Sequence, residues 1–220
     1  MSQSILNTDL STNKENANLG TLYIISSPSG GGKTTLVKAL TSSMMDIQVS
    51  VSHTTRPARP GEQEGIHYHF VDKDMFQKLQ MQRIFLECAE VFEHYYGTSK
   101  HWVLETLARG IDVILEIDWQ GAQLIRQQIP QAVSIFILPP SSKILRERLS
   151  VRAQDAHGVI EFRLNAASEE ISHYNEYDYL IVNDNFEAAL DDLRAVVRAR
   201  RLICPRQALK YQALLASFLH

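Results

Sequence analysis

"TLYIISSPSGGGKTTLVKALTSS", residues 21–43, passes from an unbroken apolar run through a glycine-rich turn into a helical pattern. A loop between a buried strand and a helix turns backbone N–H groups inward, and the helix N-terminus adds the positive end of its dipole. That combination binds phosphate. Ser27, Pro28 and Ser29 lead into Gly30, Gly31 and Gly32, which let the backbone approach an anion. Lys33 can reach the β- and γ-phosphates of a nucleoside triphosphate, and the hydroxyl of Thr34, followed by Thr35, can ligate Mg²⁺. Ser27 stands where the G-x-x-x-x-G-K-[ST] pattern has its first glycine. That position mainly shapes the turn out of the strand, so the serine weakens the pattern match more than the chemistry.

Outward from this stretch, four more short apolar runs recur: "IQVSVS" (47–52), "IDVILEID" (111–118), "AVSIFIL" (132–138) and "YDYLIVN" (177–183). Most are continuous rather than alternating, as suits strands buried on both faces of a parallel sheet. Helical patterns lie between several of them, as in "SKHWVLETLARG" (99–110) and "WQGAQLIRQQ" (119–128), which argues for a doubly wound α/β sheet. Two regions interrupt the alternation. Residues 52–98 read as loop and then strand, and residues 149–163, "LSVRAQDAHGVIEFR", are polar with two arginines. The C-terminal segment reads as a helix, a break near Pro205 and a shorter amphipathic helix.

The first interruption carries a second anion grip. Arg56 and Arg59 stand three apart in a proline-bearing loop, where planar guanidinium groups can hold a phosphate bidentately. Tyr68, Tyr95 and Tyr96 bring hydroxyls that donate to phosphate oxygens. Two phosphate sites point to phosphoryl transfer between two nucleotides. The run "LEIDWQG" ends on Glu116 and Asp118, and an acid at such a strand end can hold Mg²⁺ through water. Asp118–Gly121 also spells D-x-x-G, which GTPases use, but no N-K-x-D follows to read a base in the GTPase manner.

"SSPSGGGKTTL", "VSVSHTTRPARPGEQEGIHYHFV", "FLECAEVFEHYYGTS", "LEIDWQGA", "IFILPPS" and "YDYLIVND" together resemble the guanylate kinases, bacterial ones most of all, from Gly20 onward. The resemblance implies ATP + GMP → ADP + GDP with Mg²⁺, on a P-loop nucleoside-monophosphate-kinase fold with a five-stranded parallel core sheet. It divides the chain into a core (20–51, 99–148 and 164–220), a mixed-β GMP-binding insertion (52–98) and a short helical lid (149–163). It assigns Ser52 and Glu87 to the guanine base, Arg56, Arg59, Tyr68 and Tyr96 to the GMP phosphate, and Thr98 to base or phosphate. Asp118 joins the GMP site and can approach the metal beside Thr34. Arg148, Arg152 and Arg163 become the lid arginines that act with Lys33 and Arg56, and Asn183 faces the adenine side of ATP.

For Glu87 the chemistry agrees independently. A carboxylate accepts from guanine N1–H and N2–H together, an edge adenine lacks, while Ser52 can donate to O6. Taken alone, Glu87 in "FLECAEV" reads as a solvent-facing strand residue. The lid departs from the resemblance: Val151 and Ala153 replace the glycines that flank the lid arginine in relatives, which removes backbone freedom there. Glu116 stands where many relatives have Asp. His67 and His69 would share a strand face, which raises a metal site there against the simpler reading of Tyr68 as the functional residue of that strand.

The chain has 220 residues, 45% apolar and 21% charged, enough to bury a sizeable core. Its net charge of -3 offers no general attraction for nucleic acid or anionic membrane, and no run is long and uncharged enough to span a bilayer. Cys88 and Cys204 lack metal or redox spacing, consistent with a reduced, cytoplasmic protein. Residues 1–19 read as a disordered extension. GMP and ATP are the expected partners, and a homo-oligomer is compatible with the sequence. A catalytically dead relative that binds a partner peptide in the same cleft is the rival reading; the retained Lys33, Thr34, Arg56 and Arg59 argue against it.

Overall fold

Leu22 and Ile24 pack to one side of the first strand while Tyr23 and Ile25 pack to the other, and all four are buried, so this strand lies in the middle of a sheet covered on both faces. The structure, a computed structural model, describes residues 20–91, 93–152 and 157–219. The extension expected over 1–19 lies outside them. Strands β1 (Leu22–Ser26), β2 (Ile47–Val49), β7 (Asp112–Glu116), β8 (Val133–Leu138) and β9 (Tyr179–Val182) form a five-stranded sheet in the order β2-β7-β1-β8-β9. All its pairings are parallel.

Helices α1 (Lys33–Ser43) and α7 (Phe186–Arg201) cover one face, where Leu36, Leu40, Leu190 and Leu193 meet Tyr23, Ile25, Ile135 and Ile137. Helices α3 (Lys100–Ala108) and α4 (Trp119–Gln128) cover the other, where Val103 and Ile125 meet Leu22, Ile24 and Leu115. The chain leaves β1 through α1 toward one edge, while β8 and β9 extend the sheet on β1's other side. The carboxyl end of β1 is therefore a topological switch point, the crevice where open α/β sheets bind ligands.

Residues between β2 and α3 form a second, mixed sheet in the order β4-β3-β6-β5, from β3 (His53–Thr54), β4 (His69–Phe70), β5 (Phe85–Val91) and β6 (His94–Ser99). The expected strand "IHYHFV" shortens to two residues because His67 sits in a turn, its Nδ1 accepting from the Gln63 N–H at 3.0 Å. This corrects the shared strand face expected of His67 and His69. His69 instead pairs with Glu64 at 3.0 Å, and no group of three or more metal-ligating side chains occurs among the described residues. Helix α2 (Lys73–Met81) was not anticipated; Asp72 caps it by accepting from the Met75 N–H at 2.7 Å, and Phe76 is its one buried residue.

Beyond β8, α5 (Ser142–Arg152) and α6 (His157–Ser172) form a pair held by Leu145, Leu149 and Ala167. After α7 come α8 (Cys204–Lys210) and α9 (Gln212–Phe218). Pro205 starts α8 rather than breaking a helix, since its fixed φ suits the first turn, so the break moves to Leu202 and Ile203. No helix of the described residues is long and apolar enough to cross a membrane.

Asp112 fastens this C-terminal segment to the sheet. Its carboxylate is fully buried, accepts from the Thr21 N–H at 2.6 Å and from Arg201 Nε at 2.7 Å, and faces Arg206 at 3.4 Å. Asp112→Ala leaves those donors unpaired and should cost about 3 kcal/mol in urea unfolding. Turnover should stay within about twofold, because Asp112 is four residues, roughly 13 Å, from the active end of β7. A stability loss below about 1 kcal/mol would show that the arginines find other partners.

Candidate active site

At the end of β1 the loop closes through a Gly31 N–H to Pro28 carbonyl bond of 2.8 Å. A Cβ on Gly31 would lie 2.9 Å from Ser27 Cβ, so the serine at the first-glycine position is accommodated because its neighbour across the turn has no side chain. Gly32 has φ +92°, and a Cβ there would fall 2.3 Å from Asn183 Nδ2. That amide donates to the Gly31 carbonyl at 3.0 Å. Asn183, expected to face adenine, thus spends a donor bracing the phosphate loop while its residue also lines the adjoining recess beside Arg148. No side chain of the described residues caps α1, which leaves its first N–H groups for an anion.

Lys33 Nζ donates to the Ile117 carbonyl at 3.4 Å, a bond across to the neighbouring strand end. The Thr34 hydroxyl donates to Glu116 Oε2 at 3.1 Å. Of the two acids closing β7, it is therefore Glu116 that touches Thr34. Asp118 caps α4, accepting from the Gly121 N–H at 2.9 Å, and lines the same cleft. Burial raises Asp118's pKa, against the lowering effects of the Gly121 N–H and Lys33.

The insertion supplies the facing wall. Glu87, on β5, is only 5% exposed, so the solvent-facing reading of "FLECAEV" does not hold. The Thr98 hydroxyl on β6 donates to Glu87 Oε1 at 2.5 Å. Burial pushes the Glu87 carboxyl up to about 7; the Thr98 hydrogen bonds lower it and Asp118 raises it. A Cβ on Gly121 would come 3.1 Å from Glu87 Oε2, so the glycine of "DWQG" makes room for this carboxyl.

Arg56 is buried, donating from Nη2 to Glu62 Oε1 at 2.8 Å and from Nη1 to the Pro57 carbonyl at 2.7 Å. Its guanidinium lies 5.3 Å from the centre of the Tyr68 ring. Glu62 also accepts from the Arg59 N–H at 2.7 Å. Burial alone would raise Glu62's pKa, but Arg56 and Arg59 hold the carboxyl below its usual range. Glu62, which sequence reasoning passed over, thus holds the Arg56 side chain and the Arg59 backbone in one loop, though Arg59 lines the cleft and Arg56 is not among the residues that line it. Arg59, Tyr68, Tyr96 and Ser52 line the cleft with Glu87. The tyrosine rings meet edge to face at 6.0 Å.

Arg148 stands on the other side of the phosphate loop. Its Nη2 donates to the Asn183 carbonyl at 3.5 Å, whereas Nη1 is buried without a hydrogen-bond partner among the described residues. Arg163 lies on α6 and is not among the residues that line the cleft. The side chains of Val151 and Arg152, and Ala153 entirely, lie outside the described residues.

One cleft therefore has the phosphate loop on one wall and the buried Glu87 on the other. The guanylate kinase family model matches residues 19–200. The chain belongs to the guanylate kinase family. The guanylate kinase of Saccharophagus degradans is 58% identical over 200 residues, covering 91% of this chain and 98% of that protein. That of Vibrio cholerae is 56% identical over 202 residues, with the same coverage. The crystal structure of guanylate kinase from Anaplasma phagocytophilum superposes with a TM-score of 0.70 at 36% identity, covering 86% of this chain and 90% of that one. This guanylate kinase family member thus shares with that solved relative the α/β architecture that sequence patterning implied.

Proposed function

We propose that this chain transfers the γ-phosphoryl group of ATP to the phosphate of GMP, giving ADP and GDP. The observation that carries the reading is the buried Glu87 carboxyl opening into the cleft of the phosphate loop. Guanine presents N1–H and N2–H side by side to such a carboxylate, and Ser52 can donate to O6. Arg56, Arg59, Tyr68 and Tyr96 hold the GMP phosphate, leaving one of its oxygens free to attack the γ-phosphorus as the bond to the β–γ bridging oxygen breaks. Lys33 and the loop N–H groups neutralise charge on the donor phosphates, and positioning supplies most of the rate. Arg148, whose Nη1 has no hydrogen-bond partner among the described residues, meets charge developing beside the loop in this reading. Within this reading 52–98 is the acceptor insertion, and Arg152 and Arg163 act only when the segment around 149–163 closes.

The hard oxygen donors of Thr34 and Glu116, 3.1 Å apart beside the loop, fit Mg²⁺, with Asp118 reaching it through water. When bound, the ion shields the β- and γ-phosphates. The protein's own residues set the geometry: the loop fixes the donor, the insertion fixes the acceptor, and Gly121 lets the two walls approach.

Guanine binds the ionised form of Glu87, whose pKa is about 7 in the free site. Binding must therefore release a proton below pH 7, and affinity falls as pH drops. Between pH 8 and pH 6 the loss should be about tenfold. Guanosine, which has no titrating phosphate, reports this in a competition assay; a flat profile contradicts the assignment. The reaction itself is tested by mixing the protein with ATP, Mg²⁺ and each nucleoside monophosphate in turn. GDP and ADP should appear with GMP, and comparable products from AMP or CMP would overturn the reading.

A further inference from the structure

The turn after β7 serves the cleft at three points: the Ile117 carbonyl accepts from Lys33, Asp118 caps α4, and Gly121 gives Glu87 its room. Between Asp118 and Gly121 stands Trp119, the first residue of α4, which has no part in the scheme above. Its indole lies flat on the His173 imidazole, with the ring centroids 3.7 Å apart and the planes 9° from parallel. That is closer than the roughly 4.5–7 Å usual for aromatic pairs. We infer that His173 is a positioning residue: by stacking on Trp119 it fixes the turn that presents Asp118 to GMP. The inference rests on the ATP:GMP reading.

His173 is itself held. It follows α6, and its Nδ1 lies 2.5 Å from Glu176 Oε1 in the short 3₁₀ turn Tyr174–Glu176, while its Nε2 lies 3.8 Å from Glu169 Oε1 on α6. The other Glu176 oxygen accepts from Arg126 Nη2 at 2.5 Å. Arg126 stands on α4 two turns after Trp119, roughly 10 Å along the axis, with its guanidinium 5.1 Å from the centre of the Tyr177 ring. Helix α4 therefore meets this corner at two points, through Trp119 and through Arg126. The corner is fixed to the core sheet as well, because Asp178 Oδ2 accepts from the Ser134 N–H and hydroxyl on β8, each at 2.8 Å. An imidazole braced in this way is a rigid seat for the indole, and a locked side chain restrains the backbone that bears it, which here runs straight into Asp118.

The test uses the full chain with ATP, Mg²⁺ and GMP. His173→Ala should raise KM for GMP about 10-fold while kcat and KM for ATP stay within about threefold, because Asp118 serves the acceptor side in this reading. Trp119→Leu removes the same stack from its other half and should give an equal loss. Together the two should exceed either alone by no more than about threefold. His173→Phe keeps a stacked ring and should return KM for GMP to within about threefold of wild type. In a Trp102→Phe background, where Trp119 is the single tryptophan, acrylamide should quench the indole more readily in the Ala variant than in the Phe variant. A wild-type KM for GMP in His173→Ala overturns the inference, as do multiplying losses in the double variant, a Phe variant no better than the Ala one, or equal quenching in the two. Equal losses for ATP and GMP mark a structural role and overturn it too. Wild-type protein that makes no GDP would refute the proposed function instead, so the two failures are distinguishable.

Discussion

Glu87→Gln should lower kcat/KM for GMP by about 10²- to 10³-fold and collapse the preference for GMP over AMP. The amide keeps one acceptor but turns its NH₂ against a guanine N–H, leaving a buried donor facing a donor, at a cost of about 2–4 kcal/mol. The same substitution should stabilise the free protein at pH 8. A carboxyl whose folded pKa is raised from the ordinary 4.5 to about 7 favours the fold fully below pH 4.5 and loses that contribution as pH rises through 7. At pH 8 the buried negative charge is a burden on the order of 3 kcal/mol, which a neutral amide of equal size removes. Opposite signs for activity and stability would mark Glu87 as a residue kept for binding. Specificity constants for GMP and AMP, with thermal unfolding at pH 8, check both; an unchanged preference for GMP rules out the role in reading the base.

Lys33→Ala should reduce kcat about 10³-fold while leaving GMP affinity within about twofold. The lysine's charge matters where charge develops on the donor, and the GMP grip is built on a different element. Arg56 and Arg59 are organised by Glu62 within the insertion, and Glu87 by Thr98 across the β5–β6 pair. Direct calorimetry with GMP and single-turnover rates separate the two effects. A parallel loss of GMP affinity would show that Lys33 also supports the acceptor side.

Most of the core was legible because it obeys local rules. Continuous apolar runs gave the five parallel strands, and the glycine turn between strand and helix located the phosphate loop. The insertion was harder. Helix α2 is short and buries only Phe76, so the helical spacing of Met75, Phe76 and Leu79 is easily passed over between strands; the Asp72 cap marks its start. His67 and His69 appeared to share a strand, but the turn that places His67 depends on its bond to Gln63, which alternation does not encode.

In the site, the residues that touch substrates in this reading were recognisable from their chemistry and from the resemblance. Those that hold them were not. Glu62 carries no signal of its own in the sequence, although it holds the Arg56 guanidinium and the Arg59 backbone N–H. Gly121 looked like part of a D-x-x-G pattern, although it makes space for Glu87. Glu170 carries no signal in the sequence, and only the fold of α6 against the phosphate loop turns it into the cleft. Such roles depend on contacts between segments far apart in sequence, and no local pattern announces them.

The central claim is that one cleft joins a donor loop to a guanine-reading carboxylate. One competition measures it most directly: equimolar GMP and AMP with a limiting amount of ATP and Mg²⁺, the diphosphates then separated by chromatography. The account predicts that GDP takes nearly all the transferred phosphate. Comparable amounts of GDP and of ADP formed from labelled AMP would contradict it.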